Sequence, residues 1–249
     1  MSVLTFKDEI TRLTDDFRRQ GLDKMSNLNQ STLTVVTHFG GVSSINLAVL
    51  VLNLTQITLS NGVTWTLEKK KNDSFFNQVS LTHDDHSRKS VKIFTNGRIH
   101  VTGCANETEC MVECYQIGKI LKGYGLIDKI QIAPLEIHLI NTNFELGIEV
   151  NIRHVEQFVL QNKKFSECRY SPDKYPGLNI KLLSPAGNKV TILFFRSGNI
   201  MITGGKSYAD VTHCFVAINT LIATEYEQVY ICDHVTDVYK HKRISTGYP

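Results

Sequence analysis

Two stretches of the chain alternate apolar and polar residues on either side of a short polar turn: residues 90–104 (SVKIFTNGRIHVTGC) and 191–205 (TILFFRSGNIMITGG). Such alternation marks strands with one buried face, and a Gly in the polar connection joins two of them as a hairpin. The turns are Thr95-Asn96-Gly97 and Arg196-Ser197-Gly198. The stretches align at a constant offset of 191 − 90 = 101 residues, with five identities in fifteen positions: Phe94/Phe195, Gly97/Gly198, Ile99/Ile200, Thr102/Thr203 and Gly103/Gly204.

After each hairpin come Thr-Gly and a helix start. Asn106 with Glu109, and Ser207 with Asp210, have the spacing of capping boxes. Residues 110–121 and 211–222 then carry apolar residues at helical intervals. Upstream, residues 33–36 and 136–140 read as strands and 43–52 and 152–160 as helices. Further strands are expected at 56–60, 64–67 and 77–82 in one half, and at 165–168 and 178–183 in the other. The layout predicts an α+β protein of two tandem, pseudo-symmetric repeats, 31–126 and 127–230. A charged, helical extension precedes them at 1–30, and a tail follows at 231–249 with the basic patch Lys240-His241-Lys242-Arg243.

Side chains alternate along a strand, so each hairpin has two faces. Val91, Ile93, Ile99 and Val101 share one face in the first copy, and Ile192, Phe194, Ile200 and Ile202 in the second. Eight apolar residues of eight assign this face to the core, under the helices. The opposite face holds Lys92, Phe94, His100 and Thr102, then Leu193, Phe195, Met201 and Thr203. A solvated sheet face should be polar. This one is mixed in the first copy and largely apolar in the second, and a large, exposed, weakly charged patch marks an interaction surface. Phe94 and Phe195 stand just before the turns, and their recurrence favours a shared role over packing into each half's core.

Composition narrows the functional classes. Hydrophobic residues are 42% and charged residues 20%, which excludes disorder, and 16 Gly with 5 Pro exclude collagen. Lys+Arg exceed Asp+Glu by 27 − 24 = 3, too small an excess for a purely electrostatic binder of nucleic acid. The run at 45–59 is too short and too polar to span a bilayer, and Lys7, Asp8 and Glu9 stand where a secretory signal needs its apolar core. An intracellular, reducing setting is expected. Of the six cysteines, Cys110 and Cys114 share a helix face and with His213 and Cys214 supply zinc-type donors. No Cys-x-x-Cys pair exists, so buried free thiols are the simpler reading and no metal or cofactor is expected.

Enzyme motifs are not met. Gly205-Lys206-Ser207 imitates the end of a P-loop, but Ile200 stands where that loop needs Gly. His83-Asp84-Asp85-His86 falls between two expected strands and reads as a solvated loop.

The doubled hairpin (IFTNGRIHVTGCA and FFRSGNIMITGGK) and the segment Tyr170-Ser171-Pro172-Asp173-Lys174-Tyr175-Pro176-Gly177-Leu178 resemble the TATA-box-binding protein family over residues 31–230. The similarity is greatest to divergent members encoded by large DNA viruses. The resemblance implies a saddle with a curved antiparallel sheet below and helices on its back. It implies a transcription-initiation factor, not an enzyme, whose concave face binds and bends double-stranded DNA through the minor groove. This family is a standing illustration of minor-groove wedging and kinking.

By the same resemblance, Phe195 and Tyr175 are one intercalating pair, and Phe94 with Phe75 or Phe76 the other. Thr102, Thr203, Asn143, Met201, Leu193, Thr32, His100 and Lys92 fall at groove-floor positions, and Arg98, Lys181, Ser197 and Lys206 at phosphate positions. The pattern departs from the family at Lys92, His100, Thr32 and Ala105, which implies a site preference different from TATA. The implied partners are a transcription factor IIB-like protein and the RNA polymerase machinery, with no membrane and no small-molecule substrate. The implied setting is a host nucleus or a cytoplasmic viral factory, with packaging in the virion. The alternative is a saddle serving as a protein-interaction platform in a transcription complex, without sequence-specific DNA binding.

Overall fold

The computed structural model describes residues 3–68, 77–83 and 89–233. In chain order they form α1 (Val3–Arg19), β1 (Asn29–His38), α2 (Leu47–Asn53), β2 (Gln56–Thr58), β3 (Thr64–Leu67), β4 (Gln78–His83), β5 (Ser90–Phe94), β6 (Arg98–Cys104) and α3 (Glu107–Gly123). Then follow β7 (Glu136–Glu145), β8 (Ile148–Val150), α4 (Ile152–Gln161), β9 (Phe165–Ser171), β10 (Tyr175–Leu183), β11 (Lys189–Phe194), β12 (Asn199–Gly205), α5 (Tyr208–Thr224), α6 (Tyr226–Val229) and β13 (Tyr230–Asp233). They gather into two compact units. One is Gln30–Asn141; the other joins the described parts of Met1–Asn29 and Thr142–Pro249. The chain passes between them within β7.

In the first unit the strand order is β2-β3-β4-β5-β6-β1, every neighbour antiparallel. Val91, Ile93, Ile99 and Val101 are all fully buried, as the alternation predicts. α3 packs on β6, and Trp65 of β3, also fully buried, donates its indole N–H to Gln116 Oε1 of α3 at 3.1 Å. The hairpin turn closes through Gly97 N–H donating to Phe94 O at 3.0 Å, with Gly97 at φ +78°, where a Cβ is disfavoured. Asn106 caps α3, accepting from Glu109 N at 2.9 Å, while the Glu109 carboxylate takes the N–H of Ala105 at 2.6 Å. The helix expected from residue 43 begins instead at Leu47, because Asn46 caps it by accepting from Ala48 N at 3.2 Å.

In the second unit β9, β10, β11 and β12 are antiparallel neighbours in that order, and β8 pairs separately with β13. α5 packs on β11 and β12, and α4 on β9 and β10. Ile192, Phe194, Ile200 and Ile202 are fully buried. Ser207 and Asp210 form a reciprocal capping box at α5. The charged extension is helical over α1, which lies along α5. Phe6 meets Tyr208 at 4.7 Å between ring centroids, and Phe17 meets Phe215 edge-on at 6.0 Å. Arg18 then donates to Met25 O at 2.8 Å and to Asn27 Oδ1 at 3.0 Å, folding the chain back after the helix.

Two expectations about thiols and loops change. Cys104, Cys110, Cys114 and Cys214 are buried, but Cys168 is half-buried and Cys232 exposed, because they lie on the edge strands β9 and β13. His83 is the last residue of β4, its ring 5.1 Å edge-on to Trp65, and not part of a solvated loop. Asp84, Asp85, His86 and the basic patch at 240–243 lie outside the described residues.

Candidate nucleic-acid interface

Residues directly opposite across antiparallel strands point to the same face, so the pairing registers give the face turned away from the helices rung by rung. In the first unit one rung runs Thr66–Thr82–Ser90–Thr102–Thr34, a row of five hydroxyls. The Thr34 and Thr102 hydroxyls are 3.2 Å apart. The next rung is Ser80–Lys92–His100–Val36, and the one nearest the turn pairs Gln78 with Phe94. The half-buried Phe94 ring lies 4.7 Å from His100, whose ring is 5.9 Å from His138. Burial, then electrostatic interaction with His138, Arg98 and Lys92, hold His100 below the ordinary imidazole value.

In the second unit the corresponding rungs are Glu167–Lys181–Thr191–Thr203 and Arg169–Asn179–Leu193–Met201. Lys181 Nζ donates to Thr191 Oγ1 at 2.5 Å, and Lys189 pairs with Glu167 at 2.7 Å. At the hairpin end the Tyr175 and Phe195 rings meet edge-on, 5.9 Å apart. Tyr175 is 44% exposed and Phe195 half-buried. Gly177 makes the meeting possible: a Cβ there would stand 2.7 Å from Tyr175 Cε1 and 2.9 Å from Phe195 Cε1. Tyr175-Pro176-Gly177 open β10, which was expected to begin at 178.

The other sequence-derived candidates fall as follows. Thr32 of β1 and Asn143 of β7 are half-buried, Asn143 between the buried Thr142 and Phe144. Arg98, Ser197 and Lys206 are exposed at the hairpin end, in the turn and after β12. Phe75 and Phe76 lie outside the described residues. Sequence reasoning passed over Arg169, Asn179, His138 and most of the hydroxyl row. Counting alternate residues along β4 and β10 from the hairpin register reaches Thr82 and Asn179. His138 needed the fold.

The buried thiols are held in their protonated form. A hydrogen bond with Cys104, then burial, pushes the Cys110 thiol up, and burial pushes Cys114 and Cys214 each up to about 12. His213 and Cys214 belong to the other unit. Among the described residues no group of three or more His, Cys, Asp or Glu is placed to hold a metal ion, and no helix is long and apolar enough to cross a membrane.

Fold and face together define a class: α+β units with helices on one side of an antiparallel sheet and, on the other, a face ending in aromatic rings, rich in hydroxyls in the first unit and more apolar in the second. The family model for transcription factor TFIID (or TATA-binding protein, TBP) matches residues 135–224. A TATA-box-binding protein from Methanococcus maripaludis (strain DSM 14266) is 30% identical over 142 residues, 57% of this chain and 72% of its own length. The chain belongs to the TATA-box-binding protein family. It is also similar to a TATA-box-binding protein-like protein of Acanthamoeba polyphaga mimivirus, 27% identical over 67% of this chain and 53% of the relative. A TATA-box-binding protein of Methanocaldococcus jannaschii is 34% identical over 49% of this chain and 61% of the relative. The chain thus spans about half to three fifths of these last two relatives. The solved structure of Methanococcus jannaschii TBP shares the fold, with a TM-score of 0.60 at 23% identity, covering 80% of this chain and 99% of that one.

Proposed function

We propose that the protein is a non-enzymatic transcription-initiation factor whose two sheet faces bind the minor groove of double-stranded DNA and kink it with aromatic wedges. The observation that carries this reading is the Tyr175–Phe195 ring pair, held edge-on over a glycine at the end of an apolar face. Unstacking a base step costs a few kcal/mol, and burying aromatic surface between the bases offsets it. The two repeats, 31–126 and 127–230, supply one wedge pair each. Val79 opposes Ile93, and Leu178 opposes Phe194, its equivalent at the hairpin offset. Counting three residues back from Val79 and Leu178 matches Phe76 with Tyr175, so Phe76, not Phe75, joins Phe94.

The half-buried hydroxyls of Thr102 and Thr203 face base-edge acceptors, with Leu193, Met201 and Asn143 on the groove floor. Arg98, Lys181, Ser197 and Lys206 lie along the phosphates. A transcription factor IIB-like protein and the polymerase machinery are the proposed partners, through rewritten contacts, since Ser171, Asp173 and Lys174 stand where the family carries its acidic and apolar contact residues. A second reading, a protein-interaction platform, is favoured by Met111, Val112 and Tyr115, large apolar side chains exposed on α3.

Selection from a randomised duplex pool by mobility shift separates the two. The groove-binding reading expects one duplex class to be enriched, and Tyr175→Ala with Phe195→Ala to lose it. If no duplex is enriched, that reading falls and the platform reading stands.

A further inference from the structure

We infer that the two sheet faces read unlike base pairs: the second unit's face requires A·T, whereas the first unit's accepts G·C, with His100 as the acceptor for guanine's exocyclic amino group. This rests on the groove-binding reading above. Within the two hairpins the faces differ most at one rung. Where the second unit sets Leu193 opposite Met201, the first sets Lys92 opposite His100, each at the same 101-residue offset (193 − 92 and 201 − 100). On the neighbouring rung the hairpin positions carry hydroxyls in both units, Ser90 with Thr102 and Thr191 with Thr203, so these positions do not discriminate between them.

In the minor groove an A·T pair presents only acceptors, and a G·C pair adds the guanine amino donor. Against Leu193 and Met201 that amino group is desolvated without an acceptor, which is unfavourable. A neutral imidazole carries one accepting and one donating nitrogen and can pair with it, while Lys92, a donor only, serves the acceptors that every base pair shows. The surroundings favour that neutral imidazole. His100 faces Lys92 from β5, Arg98 from its own strand and His138 from β7, with Glu136 4.0 Å beyond His138; Phe94 and Val36 complete its neighbours and carry no charge. Protonation leaves the ring with donors alone, so acid should close the first half to G·C.

The test is duplex selection with the full chain, followed by affinities for duplexes altered one base pair at a time. The expected site has one half restricted to A·T and another that carries G·C. Joint His100→Met and Lys92→Leu substitution should weaken binding to the G·C-bearing duplex roughly tenfold relative to its A·T counterpart. The reciprocal Met201→His should admit G·C into the other half. With the unaltered protein, pH lowered well beneath the imidazole range should erase the G·C preference and leave the A·T half as it was, which holds the test even if the double variant does not fold. A site of A·T in both halves, or a G·C preference indifferent to both the substitutions and acid, overturns the inference while groove binding stands. Failure to enrich any duplex overturns both.

Discussion

Gly177 is where a single methyl group has the largest expected effect on binding. Its Cβ would press on both rings of the Tyr175–Phe195 pair, and neither is fixed in the core. Gly177→Ala is expected to part the rings and lower duplex affinity about tenfold, with stability changed by less than ~1 kcal/mol, since side chains at the surface yield at little cost. Binding titration and urea unfolding on the same variant check both halves of that statement. Asp210 is the opposite case, a residue of stability. Its carboxylate is 1% exposed and accepts from Lys206 N at 3.0 Å, Ser207 N at 3.1 Å and Asn188 Nδ2 at 3.0 Å. Burial pushes its pKa up, but hydrogen bonds from Ser184, Lys206, Asn188 and Ser207 together outweigh that and hold it below 3.8. Its contribution is therefore present above the unfolded value of 3.8 and is lost as pH falls through the lower folded value. Asp210→Asn should cost about 2 kcal/mol near neutral pH, and urea unfolding in acid should show the difference from the native chain vanishing.

Among the elements, the hairpins were the most legible from sequence, because alternation and a turn glycine are local signals. Helices α3 and α5 were legible for the same reason, through Asn106 and Ser207 at their starts. The start of α2 was misplaced because Ser43 and Ser44 resemble caps as well as Asn46 does, and only the fold selects among them. The docking of α1 on α5 was not legible, since nothing local names Tyr208 and Phe215 as partners of Phe6 and Phe17. Phe17, 5% exposed, is a core residue in that contact, and Phe17→Ala should destabilise the chain by about 3 kcal/mol in urea unfolding. Lys89 was equally hidden. Its ammonium bridges Glu109 at 2.6 Å and Glu113 at 2.9 Å, tying α3 to the start of β5. Glu113 is 3% exposed, so Lys89→Ala strands a buried carboxylate, for a loss of about 3 kcal/mol, whereas Lys89→Ala with Glu113→Leu should recover much of it.

At the scale of the whole molecule, the formal charge of +3 fits a binder that works through surface contact and wedging more than through charge. On the proposed groove-binding reading, in which Arg98, Lys181 and Lys206 neutralise phosphates, log affinity against log salt should fall with a slope of about −3. The candidate face was half legible: repetition exposed Phe94, Phe195 and the threonines, while the meeting of Tyr175 with Phe195 depends on the space that the missing Cβ of Gly177 leaves. Bending is the property that sets the groove-binding reading apart, and end-to-end energy transfer across a selected, doubly labelled duplex measures it. Addition of the protein should bring the ends together, and Phe94→Ala with Phe195→Ala should leave them at the distance of free DNA. A duplex that stays straight with the native chain, or bends equally with the double variant, would contradict it.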